Sequence, residues 1–224
     1  MSPIINQVPY YSQWESPELV PDLLAGTVQA SDDPLWERSG AASEEEYAYW
    51  SWRICGMACL RMALDHWWGV APAAVPLAEE CRAAGAYVRH PDGRLEGLIH
   101  RPFAEYVRTR WGLYAEARDP LPVEELAEQI EDGRLLMLSV HPSIRTLEPD
   151  PPRQGGHLVL AVGATEQELL IHNPSGFPDG SQQYARVPWA DLPRFYAGRG
   201  VLLGPPRRGR VSAGTGRRTA TPGH

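Results

Sequence analysis

The chain has 224 residues, of which 43% are hydrophobic and 22% charged, a globular composition with enough length to bury a core without disulfides. No stretch approaches about 18 consecutive apolar residues and no cationic, apolar leader is visible, so we expect a cytoplasmic protein with no membrane partner. The net charge is −7, and all 28 acids but only 16 of the 21 Arg precede residue 207, giving −12 there, which argues against nucleic-acid binding.

Residues 16–50 form an acidic, aromatic-rich stretch ahead of the first long helix. Between Ser16 and Tyr49 there are eight acids and one Arg, a local charge of −7. Only Ser43 to Trp52 has a helical pattern, with Ser43 as the N-cap and three Glu residues in the first turn. A loop-rich stretch of about 35 residues with this many rings is usually functional or a packed cap.

Cys55 to Trp68 is predicted to be a buried helix, because apolar residues cover nearly its whole circumference and Gly69 follows it. Antiparallel strands dominate the second half, so the order of elements predicts the α+β class, with the helix packed on an antiparallel sheet. Further helices are predicted at 76–84, 102–110, 122–131 and 189–196, and strands at 113–117, 135–140, 157–162, 169–172, 182–187 and 200–203.

The last 21 residues, 204–224, are rich in Gly, Pro, Arg, Ser and Thr and contain five of the Arg residues. Such a segment cannot bury enough apolar surface to offset the entropy lost on ordering. We therefore expect a disordered basic tail behind a folded domain of residues 1–203.

Cys55 is the candidate nucleophile. It opens the buried helix, where free backbone N–H groups and the helix dipole stabilise a thiolate. Gly56 follows it, and a glycine there allows a substrate carbonyl to approach the backbone closely.

His157 and Asn173 are the candidates for the base and for the group that orients it. His157 opens one strand of a predicted hairpin, and Asn173 ends the strand at 168–173. Antiparallel pairing brings the start of the first strand beside the end of the second. A nucleophile, a base and an orienting group in this order predict nucleophilic catalysis by a Cys-His-Asn triad.

Four motifs with this order and spacing resemble the peptidase C39-like family of papain-fold cysteine proteases, over roughly residues 5 to 203. The motifs are Tyr10-Tyr11-Ser12-Gln13, Cys55-Gly56-Met57-Ala58-Cys59-Leu60, Gly156-His157-Leu158-Val159-Leu160-Ala161-Val162-Gly163 and His172-Asn173-Pro174-Ser175-Gly176.

The resemblance implies a papain-like fold and a fourth site residue, Gln13, which would complete the oxyanion hole. Gln13 and Cys55 are 42 positions apart, much farther than in the family, so residues 16–50 look like an insertion. The family commonly has Asp as the third member of the triad, where this chain has Asn173. Asn orients an imidazole without adding a countercharge.

The other cysteines are interpreted as buried small hydrophobic residues. Cys55 and Cys59 lack the second matching pair that structural zinc sites usually have. We therefore predict no metal and no cofactor.

Three functional hypotheses follow. The first is a cysteine peptidase or amidase that forms an acyl-enzyme on an amide or thioester. The second is an acyltransferase or transpeptidase with the same triad, in specialised metabolism, and the third is a non-catalytic binding module. The expected partner is a peptide or a small amide or thioester. If the acidic insertion caps the cleft, cationic substrates are favoured; if its acids face solvent, only its aromatic residues matter, through packing.

Overall fold

The computed structural model describes residues 3–206. The helices are α1 Val20–Ala25, α2 Glu44–Ser51, α3 Cys55–Trp68, α4 Ala74–Ala83, α5 His100–Trp111, α6 Val123–Glu131 and α7 Leu192–Phe195. The strands are β1 Ile4–Ile5, β2 Val88–Arg89, β3 Leu95–Glu96, β4 Tyr114–Arg118, β5 Leu135–Val140, β6 His157–Ala164, β7 Glu168–His172, β8 Ala185–Pro188 and β9 Tyr196–Gly204. Short 3-10 helices lie at Pro17–Leu19, Ala30–Asp32, Trp36–Ser39 and Pro142–Arg145.

Helix α3 is the buried central helix that the sequence predicts. All residues from Gly56 to Leu64 are buried, because apolar side chains cover almost every side of the helix. Gly69 ends it with φ 64°, in the left-handed region that glycine enters without the steric cost of a Cβ. Both predicted ends of this helix are confirmed.

The main sheet has the strand order β4-β9-β5-β6-β7-β8, and β1 also pairs with β6. Neighbouring strands run antiparallel. β5 and β6 are buried along their whole length, as expected for central strands with both faces covered. The predicted class, α+β with an antiparallel sheet, is confirmed.

Helices cover both faces of the sheet. Successive side chains of a strand point to opposite sides, so the apolar central strands contribute to a separate core on each face. Leu135 and Met137 of β5 belong to the core that contains α3, α4 and α5. Leu136 and Leu138 belong to the opposite core, which α6 completes. The helix that carries Cys55 is thus packed directly on one face of the sheet.

Residues 16–50 contain more regular structure than their sequence indicates. Besides the predicted helix, now α2, they form α1 and three 3-10 helices. Together with Trp14 they bury a small core of their own: Trp14, Val20, Leu23, Ala30 and Tyr47.

A buried carboxylate holds this segment together. Asp33 accepts hydrogen bonds from the Ser16 N–H at 3.2 Å, the Ser16 hydroxyl at 2.6 Å and the Leu35 N–H at 2.9 Å. The Tyr47 hydroxyl donates a further hydrogen bond to the same carboxylate. These polar contacts stabilise the 3-10 turns. The turns have no periodic hydrophobic pattern, so the sequence did not predict them.

The α2 start is capped as predicted. The Ser43 hydroxyl accepts the Glu46 N–H at 3.2 Å, and the Glu46 carboxylate accepts the Ala42 N–H at 2.6 Å. This reciprocal arrangement resembles a capping box.

The last strand is longer than predicted. Gly204, placed in the tail by its composition, is the final residue of β9 and pairs with Tyr114 of β4. Residues 207–224, the rest of the predicted disordered tail, lie outside the described residues. None of the described helices has the length and apolar character needed to cross a membrane.

Candidate active site

Cys55 is the first residue of α3 and lines a cleft of about 760 Å³. The N-cap residue, Ile54, makes no side-chain hydrogen bond to the helix. The first-turn N–H groups therefore have no capping side chain competing for them.

The thiol is held in its neutral form. Burial raises the pKa of Cys55, and hydrogen bonds with the backbone of Leu158, Gly56 and Cys55 itself lower it by less. The sequence predicts a thiolate here from the helix start alone. The structure differs because the desolvation of the sulfur outweighs the helix-start N–H groups.

Gly56 serves packing. A Cβ at this position would lie 2.8 Å from Leu98 Cδ2 and 3.1 Å from Leu158 Cδ1. The sequence predicts that this glycine lets a substrate carbonyl approach the backbone, but that space is filled by two leucine side chains. The glycine allows α3 to lie close against β6.

His157 opens β6 and lines the same cleft as Cys55. Its Nε2 lies 2.8 Å from Asn173 Oδ1, and both side chains are buried. The Ser175 N–H donates to the same Oδ1 at 3.1 Å, so this atom is the amide oxygen. Nε2 therefore carries the hydrogen, and Nδ1 keeps the lone pair that can accept a proton.

The pairing of β6 with β7 brings a third side chain to the histidine. Leu160 lies opposite His172, so continuing this register three residues in each direction carries His157 to Ser175. The Ser175 hydroxyl lies 3.1 Å from His157 Nε2. The sequence motif that contains Ser175 does not predict a role for this residue. An Asx turn, in which Asn173 accepts the N–H two residues on, is the local signal that could have found it.

Arg145 supports this serine from the 3-10 helix Pro142–Arg145. Its Nη2 donates to the Ser175 hydroxyl at 2.8 Å. Sequence reasoning did not identify Arg145, because the residue lies in a proline-rich loop 30 positions before the serine that it contacts.

The pKa of His157 is lowered to about 4. Burial is the main cause, the hydrogen bond that His157 donates to Asn173 raises the pKa, and the nearby charges of Arg145 and His141 lower it further. The imidazole is therefore neutral at pH 7. Because burial also raises the pKa of Cys55, the resting pair consists of thiol and imidazole.

Gln13 forms hydrogen bonds with the residues just before the Cys55 helix and with the loop after Asn173. Its Nε2 donates to the Ser51 carbonyl at 2.9 Å, and its backbone N–H donates to the Pro174 carbonyl at 2.9 Å. It is buried and is not among the described residues that line the cleft. Its role as an oxyanion donor stays a prediction.

The acidic segment does not contribute to the cleft wall: no described residue between 16 and 50 lines it. Six of the segment's eight acids are exposed and Glu46 is partly exposed, while Asp33 is buried in the segment's own core. The cleft wall begins immediately after the segment, with Trp52 and Arg53.

The other two cysteines are placed as predicted. Cys59 and Cys81 are fully buried, and burial raises the pKa of each. Cys55, which is only partly buried, is the one of the three that reaches the cleft.

Known proteins resemble this chain in sequence and in structure. A sequence model of the Peptidase_C39 like family matches residues 5–200. A crystal structure described as a C39-like peptidase from Bacillus anthracis has 14% identity and a TM-score of 0.51, covering 91% of this chain and 98% of its own. The peptidase domain of ComA, a bifunctional ABC transporter of Streptococcus involved in quorum sensing, has 17% identity and a TM-score of 0.48, covering 68% and 92%. No curated protein matches the chain.

Proposed function

Because the chain belongs to the Peptidase_C39 like family and has the papain-like fold of C39-like peptidases, we propose that it is a cysteine peptidase or amidase with Cys55, His157 and Asn173 as its triad. The observation that carries this proposal is the hydrogen bond between His157 Nε2 and Asn173 Oδ1. It leaves Nδ1 as the basic nitrogen in a cleft shared with the Cys55 thiol.

The reaction begins from the neutral pair. As the Cys55 sulfur attacks the amide carbon, its proton passes to His157 Nδ1, and the carbonyl oxygen becomes an oxyanion. The backbone N–H of Cys55 donates to that oxyanion, with Gln13 as the proposed second donor. His157 then gives the proton to the leaving amine, and the C–N bond breaks to leave a thioester on Cys55.

Release follows the same path in reverse. Water attacks the thioester carbon while His157 accepts its proton, and the proton then returns to the departing Cys55 sulfur. The product is a carboxylic acid. Asn173, held by the Ser175 N–H, keeps the ring oriented in both halves, and Arg145 and Ser175 act as positioning residues.

A reactive ester tests the nucleophile without knowledge of the natural substrate. We expect p-nitrophenyl acetate to give a burst of nitrophenol and an acetyl adduct that peptide mapping places on Cys55. Cys55→Ala should abolish the burst, a loss of at least about 10³-fold, while Cys81→Ala, at a cysteine outside the cleft, should retain it. An acetyl group on another residue, or a burst in Cys55→Ala, would contradict the proposal.

The fate of the acyl group separates hydrolysis from transfer. Peptide amides should yield free carboxylic acids with the wild-type protein, and added glycinamide should not change the product. Accumulation of an acylated glycinamide would assign the site to acyl transfer.

A further inference from the structure

The wall of the cleft has the opposite charge from the protein as a whole. Four arginines line it, against two carboxylates, whereas residues 3–206 contain 16 Arg and 28 acids. The arginines come from four separate places in the fold: Arg53 before α3, Arg101 in the first turn of α5, Arg118 at the end of β4 and Arg199 in β9.

Two of these arginines have no partner in the described part of the chain. Arg118 pairs with Glu125 at 2.8 Å, and the Arg53 guanidinium lies 4.3 Å from the centre of the Tyr49 ring. The side chains of Arg101 and Arg199, both exposed, form no ion pair or hydrogen bond with a described residue. Their guanidinium groups are therefore available to a ligand.

Arg199 is close to the catalytic strand. Its Nη2 lies 3.6 Å from the position that a Cβ on Gly155 would occupy, two residues before His157. Burial lowers the pKa of His100, which lines the same cleft, and the charge of Arg199 lowers it further. This arginine thus lies beside the residues that lead into the strand of His157.

The carboxylates of the cleft do not cancel this charge. Glu96 already accepts a hydrogen bond from His90 Nε2 at 2.9 Å, and counting both Glu96 and Asp119 against the four arginines leaves the lining with a formal charge of +2. In addition, α3 and α5 both begin at the cleft with no acid in the first turn and no side-chain cap. Helix N-termini add positive potential to that of the arginines.

We propose that the cleft binds an acyl substrate with an anionic group, a carboxylate or a phosphate, beside the reacting carbonyl, and that Arg101 and Arg199 hold this group. The inference rests on the proposed function, since it assigns the substrate class of the same site. Guanidinium groups bind both anions through paired N–H donors, which fix orientation as well as charge.

Charged thiol reagents test the inference without requiring turnover. The anionic 2-sulfonatoethyl and the cationic 2-(trimethylammonium)ethyl methanethiosulfonate have the same reactive group and opposite charges. We expect the ratio of anionic to cationic labelling rates at Cys55 to exceed that of 2-mercaptoethanol, an uncharged thiol, and the excess to shrink at high salt. A ratio equal to or below that of 2-mercaptoethanol would overturn the proposal, whether or not any peptide is cleaved.

Variants assign the preference to the two arginines. Arg101→Gln with Arg199→Gln should lower the ratio about fivefold, and Lys at both positions should retain most of it. Arg82→Gln, at an exposed arginine of α4 outside the cleft, should leave it unchanged. Thermal denaturation confirms that each variant is folded. A ratio unaffected by the double Gln variant would remove Arg101 and Arg199 from the proposal.

Protection of Cys55 from iodoacetamide distinguishes the two sources of the anion. An acetylated Asp-Gly-Asp amide supplies carboxylates, and inorganic phosphate supplies the other group. Slower labelling with the peptide alone assigns the site to acidic peptides, and slower labelling with phosphate alone assigns it to acyl substrates that contain a phosphate group. Protection by neither would overturn the claim that an anion is bound.

Discussion

The segment of residues 16–50 and the cleft at Cys55 differ in how their charges are arranged. The segment has eight acids and one arginine close together in sequence, yet its acids lie at the surface, apart from Asp33 in the segment's own core. The cleft collects four arginines from sites up to 146 positions apart, between Arg53 and Arg199. The charge that a substrate meets is therefore set by the fold and not by the nearest charged run in the sequence.

The two regions also differ in the ionisable groups that they bury. The segment buries one carboxylate, Asp33, which accepts several hydrogen bonds. The region around the candidate active site buries two histidines, His157 and His172, whose pKa values are lowered. Changes in pH and single substitutions can therefore perturb the segment or the cleft separately.

Mild acid should have the largest effect, and it should act on the active-site side. Burial lowers the pKa of His157 and of His172 to about 4, against about 6.5 in the unfolded chain. Between these values the unfolded state binds more protons, so stability falls as the pH drops from about 6.5 to about 4. Each histidine should contribute up to about 3 kcal/mol of this loss.

Urea denaturation at a series of pH values measures that loss. His172→Phe, which keeps an aromatic ring between Tyr10 and Tyr184, should remove about half of the pH dependence. A pH dependence that is the same in this variant would show that His172 is not held neutral by the fold.

Removal of the Asp33 carboxylate should have the next largest effect, confined to the acidic segment. Asp33→Ala leaves buried donors of Ser16 and Tyr47 without an acceptor, which should cost about 2–4 kcal/mol. Hydrogen exchange should increase in residues 16–50 and stay unchanged in β5 and β6. Asp32→Ala, at an exposed neighbouring acid, is the control, and equal losses in the two variants would contradict the role given to the buried carboxylate.

Arg145→Gln should have a moderate effect on the cleft. Loss of the positive charge removes one cause of the low pKa of His157, so the acid limb of kcat/KM for ester hydrolysis should move up by about half to one pH unit. Arg145→Lys retains the charge and should leave the limb in place. A lower rate with no shift of the limb would reduce Arg145 to a purely structural role.

The smallest effect is expected where the sequence has its densest negative charge. Glu44→Gln, Glu45→Gln and Glu46→Gln together should change kcat/KM less than twofold for cationic and neutral substrates alike, at low and high salt, since none of the three lines the cleft. A loss specific to the cationic substrate and abolished by salt would restore the acidic cap that the segment's charge suggests.

The sequence predicts those parts of the fold in which residue pattern and structure have the same period. The apolar surface of α3, its end at Gly69 and the continuous hydrophobic run of β5 are examples. It predicts the neighbourhood of His157 and Asn173 because a hairpin converts sequence position into spatial pairing. It misses β2 and β3, which are too short for a periodic signal, and α1, which is held by tertiary packing.

The residues of the candidate site can be predicted from the sequence only where an antiparallel strand pair, here β6 and β7, brings them together. Ser175 lies opposite His157 in register but beyond the end of the strand, and Arg145 reaches it from another loop. The neutral state of the Cys55–His157 pair depends on burial, which no residue pattern reports. The convergence of Arg101 and Arg199 requires the finished sheet.

Gln13 has a consequence for how this chain could diversify. Its side chain bonds to Ser51 and its backbone to Pro174, so the points where the acidic segment leaves and rejoins the domain are fastened to each other beside the Cys55 helix. Length gained or lost between them does not have to displace the helix or the Asn173 loop. The exterior of the segment can therefore change in length or sequence while Cys55 and Asn173 keep their positions.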